Sequence, residues 1–107
     1  MVGKIYRVVF TRYAQNRRRE VYHFEERING KRYAKKIQQL ISEATRKLEK
    51  LPEIHPLYEY HDSTKEVRYT KALEYKILYH IRIETDEVVI LTIRNDAEDP
   101  DRIAKEL

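Results

Sequence analysis

One stretch of the sequence alternates apolar and basic side chains, as a strand with a cationic face would. Residues 75–83 read YKILYHIRI. Successive side chains of a β-strand point to opposite faces, so every second residue shares a face. A row of basic groups on an uncovered face could hold a phosphate backbone, although an ordinary solvated face of an antiparallel sheet would look the same. The members of the polar face are Lys76, Leu78, His80 and Arg82.

Two neighbouring arginines could extend this row. Arg68 belongs to the strand-like run 67–73, and Arg94 closes the run 87–94. If both side chains lie on the same face as Lys76, several cations converge on one groove. The register between strands decides this point, because a slip of one residue moves a side chain to the other face.

Other chemical sites have no support in the sequence. The chain contains no cysteine, which excludes disulfides, thiolate metal sites and cysteine nucleophiles. The remaining histidines, His23, His55 and His61, lack metal-ligand spacing. Two glycines in the whole chain cannot build a phosphate-binding loop. We therefore expect no metal and no cofactor.

The periodicity of apolar residues predicts the elements that position the basic row. Residues 5–11 form a strand, and the stretches 13–29 and 31–50 have helical periodicity. Thr11 can cap the first helix, Asn29 and Gly30 can join the two helices, and Pro52 cannot continue the second helix. The first helix is expected to bury one broad face, formed by Ala14, Val21, Phe24 and Ile28.

Three further strands follow, at residues 67–73, 75–83 and 87–94, and Asp99 with Pro100 could start a short C-terminal helix. The predicted fold class is α+β. It has a small antiparallel-rich sheet of about four strands, with an N-terminal α-helical hairpin packed on one face. The chain of 107 residues fits a single domain, 1–107. The face of the sheet opposite the helices would remain open.

Charge is unevenly distributed along the chain. Residues 1–51 carry 14 Lys and Arg against 5 Asp and Glu, whereas residues 52–107 carry 8 against 13. A basic half indicates nucleic acid, a ribosome or an acidic protein as partner, unless these are simply the solvated faces of helices. The chain starts without a long apolar run, and the longest one, at 88–91, cannot span a membrane. We expect a cytoplasmic protein without a membrane partner.

Several segments together resemble a known family. The run Arg68-Tyr69 followed by YKILY at 75–79 looks like a hairpin of the RelE/ParE toxins of type II toxin–antitoxin systems, the plasmid-stabilisation type. Further matching positions occur in the same order as in the family, and together they span most of the chain. The other matching positions are Tyr6, residues 8–11, Ala14, Leu48, Leu51, Pro52, Asn95, Asp99, Pro100 and Ile103.

The resemblance implies a toxin that is neutralised by an acidic antitoxin protein. RelE-like members cleave messenger RNA inside the ribosome with Lys and Arg of the open sheet face, often with a Tyr or His near the C-terminus. Lys76 matches one basic position, Arg94 lies near another, and Arg68 matches a third only loosely. No Tyr, Phe or His follows Arg94. ParE-like members instead act on DNA gyrase.

Metal-independent RNA cleavage would need a base for the 2′-hydroxyl proton, cations for the charge growing on the phosphate, and an acid for the leaving oxygen. The predicted catalytic residues are Lys76, Arg94 and His80, with histidine as acid or base. Arg68 and Arg82 are the predicted substrate-binding residues. The function expected first is that of a toxin that arrests growth by ribosome-dependent mRNA cleavage through the basic open sheet face. The alternatives are a gyrase inhibitor that acts by binding and a toxin fold that only binds its antitoxin.

Overall fold

A computed structural model describes residues 3–59 and 65–97 of the chain. Its elements follow the predicted order, and each lies within a few residues of the predicted limits. The predicted C-terminal helix at Asp99 and Pro100 lies outside the described residues. The elements are β1 Arg7–Phe10, α1 Arg12–Asn29, α2 Lys31–Lys47, β2 Arg68–Ala72, β3 Tyr75–Arg82 and β4 Glu87–Asn95.

The four strands form one mixed sheet in the order β1-β4-β3-β2. β2, β3 and β4 are antiparallel neighbours, whereas β1 runs parallel to β4. The pairing of β1 stops at Phe10 opposite Ile90, because the chain turns into α1 at that point. Beyond Ile90, α1 takes the place of the strand, and Arg17 Nε donates to the Ile93 carbonyl oxygen at 3.1 Å. The predicted α+β fold, with its helical hairpin and antiparallel-rich sheet, is confirmed.

Helix α1 begins as the sequence predicts but buries a different face. The Thr11 hydroxyl caps the helix by accepting a hydrogen bond from the Ala14 N–H at 3.0 Å. Ala14 and Val21 are buried as expected. Phe24 and Ile28 are 47% and 60% exposed, so their prediction as core residues is wrong. The buried stripe continues through Glu25 instead.

The turn between the two helices depends on Gly30. Asn29 ends α1 and Lys31 begins α2, so a single residue reverses the chain. Gly30 has φ 92° and ψ 162°, a conformation that is essentially restricted to glycine. Helix α2 ends at Lys47, earlier than predicted, and Pro52 begins a separate 3₁₀ turn.

Replacing Gly30 by alanine is expected to lower the free energy of unfolding by about 1–2 kcal/mol. An added Cβ would meet no atom within 4 Å, so the cost comes from the backbone conformation alone. Urea denaturation followed by circular dichroism measures the change. Gln39→Ala, at an exposed position of α2, serves as the control and should leave stability nearly unchanged. Equal stability of the two variants would contradict the strain argument.

Apolar side chains form clusters on both faces of the sheet. The main core lies between the helices and the sheet, and it contains Ile37 and Ile41 of α2 and Ile77 and Tyr79 of β3. The second, smaller cluster lies on the opposite face, so the face that was expected to be open is covered at its centre. Its buried members are Tyr58, Val67 and Leu78, with Tyr69 and Leu91 packed against them.

Residues 56–58 bring Tyr58 into this second cluster. The Tyr58 N–H donates to the Val67 carbonyl oxygen at 2.6 Å, and the Tyr69 N–H donates to that of Pro56 at 3.1 Å. The segment therefore lies beside the start of β2 and adds backbone hydrogen bonds to the edge of the sheet.

Candidate functional site

The alternation of β3 sorts its side chains between the two faces of the sheet. Tyr75, Ile77 and Tyr79 belong to the core beneath the helices. The cross-strand register pairs Lys76 with Lys71 of β2 on one side and with Arg94 of β4 on the other. Directly paired residues share a face, so the structure brings three cationic residues into one row across the sheet.

Lys76 already has several partners within the protein. Its Nζ atom lies 5.2 Å from the centre of the Tyr69 ring and 5.8 Å from that of Tyr58. It is also 3.8 Å from Asp96 Oδ1. The second Asp96 oxygen binds Lys71, and this contact raises the pKa of Lys71. The lysine end of the row is therefore neutralised in part by Asp96, with two aromatic rings beside it.

Arg82 also takes part in an ion pair. Its Nη1 atom lies 3.2 Å from Glu87 Oε1, and Arg7 of β1 binds the other oxygen of the same carboxylate. Glu87 is buried. Hydrogen bonds from Arg7 and Thr85, and the charge of Arg82, lower the pKa of Glu87. The carboxylate thus stays ionised at neutral pH between two arginines.

His80 is oriented by a backbone carbonyl group. Its Nδ1 atom lies 2.9 Å from the Glu66 carbonyl oxygen. A carbonyl oxygen only accepts, so Nδ1 carries the proton and Nε2 is the acceptor in the neutral ring. His80 follows Lys76 by four residues in β3, which separates their backbone positions by about 13 Å.

Arg94 is buried, and its guanidinium group reaches towards the start of α1. Its Nη2 atom donates to the Tyr13 hydroxyl oxygen at 2.7 Å. Tyr13 lies two residues after the Thr11 cap. The register keeps Arg94 in the row with Lys76, while its side chain connects the end of β4 to the helix.

Arg68 lies apart from the row. It pairs with Tyr79, a core residue on the helix side of the sheet, so Arg68 points away from the face of Lys76. Its Nη1 atom donates to the His55 carbonyl oxygen at 2.7 Å. Burial and the charge of Arg68 lower the pKa of His55. The convergence of Arg68 with Lys76 and Arg94, which sequence left conditional, is not present.

The surface contains two cavities near the predicted residues. One, of about 390 Å³, lies beside the start of β2 and brings Arg68 and His80 together with Glu53 and Glu66. The other, of about 630 Å³, lies between α1 and the end of β4 and is named the α1–β4 cavity below. Its lining residues are Arg17, Glu20, Val21, His23, Phe24, Arg27, Tyr75, Arg94, Asn95 and Ala97.

Sequence reasoning missed a buried polar pair beside the α1–β4 cavity. Glu25 of α1 is buried and accepts a hydrogen bond from the Tyr75 hydroxyl group. Asn29 Nδ2 donates to the other Glu25 oxygen at 2.7 Å. Burial and the neighbouring Glu25 raise the pKa of Tyr75. The partners are 50 residues apart, so local pattern carries no signal for them.

The described residues contain no group of three or more histidine, aspartate, glutamate or cysteine side chains that could hold a metal ion. Across ranges 3–59 and 65–97, neither helix is long and apolar enough to cross a membrane.

The protein is therefore a small α+β protein. A helical hairpin covers one face of its four-stranded mixed sheet, and a row of lysine and arginine lies on the opposite face. A family model described as the ParE toxin of type II toxin–antitoxin system, parDE, matches residues 8–100. The chain belongs to this ParE toxin family. Membership implies an antitoxin protein as partner.

The fold is also similar to that of a solved chain described as belonging to the chromosomal ParDE toxin–antitoxin system from P. aeruginosa. The TM-score is 0.70 at 18% sequence identity, and the match covers 87% of this chain and 98% of that chain. No curated protein sequence gives a match.

Proposed function

We propose that this ParE-family toxin arrests growth by binding DNA gyrase, without cutting RNA. The proposal rests on one observation: cationic side chains of the sheet face already form ion pairs with carboxylates of the protein itself. Asp96 binds Lys71 and lies near Lys76, and the buried Glu87 binds Arg82.

A nuclease face must present its cations to a phosphate group. Here an RNA phosphate would meet Asp96 and Glu87 beside the very groups it has to bind, and like charges at short range repel. The lowered pKa of Glu87 keeps that carboxylate charged at neutral pH. The charge pattern therefore favours a protein partner over a polyanionic strand.

The positions of the predicted acid or base also oppose RNA cleavage. General acid–base groups act within about 3 Å of the proton that they transfer. His80 is separated from Lys76 by about 13 Å along β3, and Arg68 faces the other side of the sheet. No single phosphate would reach Lys76, His80 and Arg68 together.

The deciding experiment runs two assays on one protein preparation. We expect the protein to inhibit supercoiling by purified gyrase, and to leave messenger RNA on translating ribosomes uncut when toeprinting is used to map breaks. Lys76→Ala combined with Arg94→Ala tests the row in both assays. Codon-positioned cuts that this double variant abolishes, with no effect on gyrase, would overturn the proposal.

Ribosome-dependent mRNA cleavage remains the second candidate, because Lys76 and Arg94 are direct cross-strand neighbours. In that case Lys76, Arg94 and His80 would be catalytic, and Arg82 would bind the substrate. Both targets would be met in the cytoplasm. Induced expression without growth arrest would eliminate both candidates and favour a fold that only binds its antitoxin.

We also propose that the antitoxin is acidic, since residues 1–51 carry 14 Lys and Arg against 5 Asp and Glu. Several of these basic residues lie on the exposed faces of α1 and α2. The charge of the antitoxin encoded by an adjoining gene tests this point directly, and a basic antitoxin would contradict it.

A further inference from the structure

The surface at the start of helix α2 carries four cations close together. The side chains of Lys31, Arg32, Lys35 and Lys36 are all exposed. Lys31 lies four residues before Lys35, and Arg32 lies four residues before Lys36, so each pair is adjacent on the surface of the helix. We name these four residues the hairpin patch, because they directly follow the Gly30 turn of the helical hairpin.

The charge of the hairpin patch is not neutralised within the described part of the chain. Residues 27–42 contain five Lys and Arg and no Asp or Glu. Across ranges 3–59 and 65–97, none of the four side chains takes part in an ion pair. The sheet face differs in this respect, because Asp96 and Glu87 bind cations there. The patch therefore presents its positive charge to the solvent.

This arrangement of charges is unfavourable for the helix itself. Like charges four residues apart on a helix repel each other. The first turn of α2 also contains no acidic residue, although the dipole of a helix favours anions at this end and disfavours cations. Natural sequences that break such local rules tend to do so at functional sites. An anionic partner bound at the patch would remove both unfavourable effects.

The side chains around the patch fit phosphate groups better than a protein surface. All exposed side chains from Lys31 to Gln39 are polar, whereas the centre of a protein interface is rich in apolar and aromatic side chains and poor in lysine. Tyr33 is half-buried, and its hydroxyl oxygen lies 3.5 Å from Glu74 Oε1. This stretch of α2 therefore has no exposed aromatic ring on which the bases of a single strand could stack.

We propose that the hairpin patch binds the phosphate backbone of duplex DNA without reading its sequence. A DNA duplex carries one negative charge per about 1.7 Å of its axis, which is denser than the charge of a single strand. Lysine and arginine that contact the phosphates release the counterions condensed on the duplex, and this release supplies the affinity. The choice of DNA as the polyanion rests on the proposed function, since DNA is the substrate of gyrase.

The inference goes beyond inhibition of gyrase, because it assigns a second partner to a second surface of the toxin. Contacts with phosphates position a protein on a duplex but carry no sequence information. They also let a protein slide and hop along DNA. A toxin held in this way would reach DNA-bound gyrase without leaving the duplex.

Fluorescence anisotropy of a labelled DNA duplex, titrated with the full-length protein, tests the proposal. We expect a dissociation constant of about 10⁻⁴–10⁻⁶ M near physiological salt, as is typical of non-specific binding. The logarithm of the affinity should fall against the logarithm of the salt concentration with a slope of about −3 to −4, because each of four phosphate contacts contributes about −0.9. Single-stranded RNA of the same length should bind more weakly.

A pair of neutral substitutions identifies the surface that binds. Lys31→Gln combined with Lys35→Gln is expected to weaken duplex binding about tenfold or more near physiological salt, and to make the slope shallower by about 2. The matched control, Arg46→Gln combined with Lys47→Gln, removes the same charge from exposed residues at the opposite end of α2. It should change the affinity and the slope much less.

Urea denaturation separates lost binding from lost folding. The Lys31→Gln and Lys35→Gln variant should keep or raise the urea midpoint, because the repulsion between the two lysines is removed. Arg32→Gln combined with Lys36→Gln repeats the binding test on the second row if the first variant is unstable. Absence of duplex binding, equal losses in the test and control variants, or tighter binding of single-stranded RNA than of duplex DNA would each overturn the proposal.

Failure of this inference can be told apart from failure of the proposed function, because the binding assay contains neither gyrase nor ribosomes. Duplex binding by a protein that does not inhibit gyrase would support the DNA contact and overturn only the gyrase assignment. Inhibition of gyrase by a protein that does not bind the duplex would have the opposite meaning.

Discussion

Replacing Leu78 by alanine is expected to lower the free energy of unfolding by about 2–5 kcal/mol. Leu78 points away from the helices, yet its exposed fraction is 0%. It is enclosed by Tyr58 and Val67, so truncation leaves a cavity in addition to the lost apolar burial. Urea denaturation followed by circular dichroism gives the change.

Leu57→Ala is the matched control for this prediction. Leu57 is 45% exposed and is a neighbour of Tyr58 in the chain, so the same truncation should cost less than about 1 kcal/mol. Similar losses for the two variants would mean that Leu78 contributes no more than a surface leucine, and that the centre of this face is open after all. In that case the sheet face would have an open centre for RNA to bind, as a nuclease requires.

The second large effect is expected at the buried pair of Tyr75 and Glu25. Tyr75→Phe removes the hydroxyl donor from a carboxylate that is 2% exposed, leaving Asn29 as its side-chain donor. Hydrogen bonds to buried charged groups contribute about 1.5–3 kcal/mol, and we expect a loss of that size near pH 7. Tyr22→Phe, at a half-buried tyrosine of α1, is the control and should change stability little.

The pH dependence of this variant gives a separate test. Burial and the Glu25 hydrogen bond raise the pKa of Tyr75 above its ordinary value of 10.0. The folded state therefore keeps a proton that the unfolded state releases, and the stability contributed by Tyr75 is present below pH 10 and falls as pH rises above it. Tyr75→Phe should flatten this alkaline decline, in unfolding curves measured across pH 9–11. An unchanged decline would contradict the assignment.

Local sequence was sufficient to predict the helices and strands and their order along the chain. The Thr11 cap, the Gly30 turn and the alternation of β3 each depend on residues a few positions apart, and all three are found in the structure. They follow from backbone conformation and strand geometry, which neighbouring residues determine.

The arrangement of the site could not be predicted from local sequence, because it depends on contacts between residues that are far apart in the chain. Arg68 faces the helix side because β2 pairs in a register that places it opposite Tyr79. Phe24 is exposed and Glu25 buried because Tyr75, fifty residues away, provides a hydroxyl group at that position of the helix. Asp96 neutralises part of the basic row from beyond the end of β4.

The parallel pairing of the first and last strands also determines when the protein becomes complete. The helical hairpin and the strands from β2 to β4 are built from neighbours in the chain, whereas the contact of Arg7 with Glu87 closes a loop of 80 residues. Contacts of such separation are formed slowly and late in folding. During synthesis β1 has no partner until β4 has left the ribosome. The finished sheet, and any activity that depends on it, arises only after the chain has been made as far as Asn95, the last residue of β4.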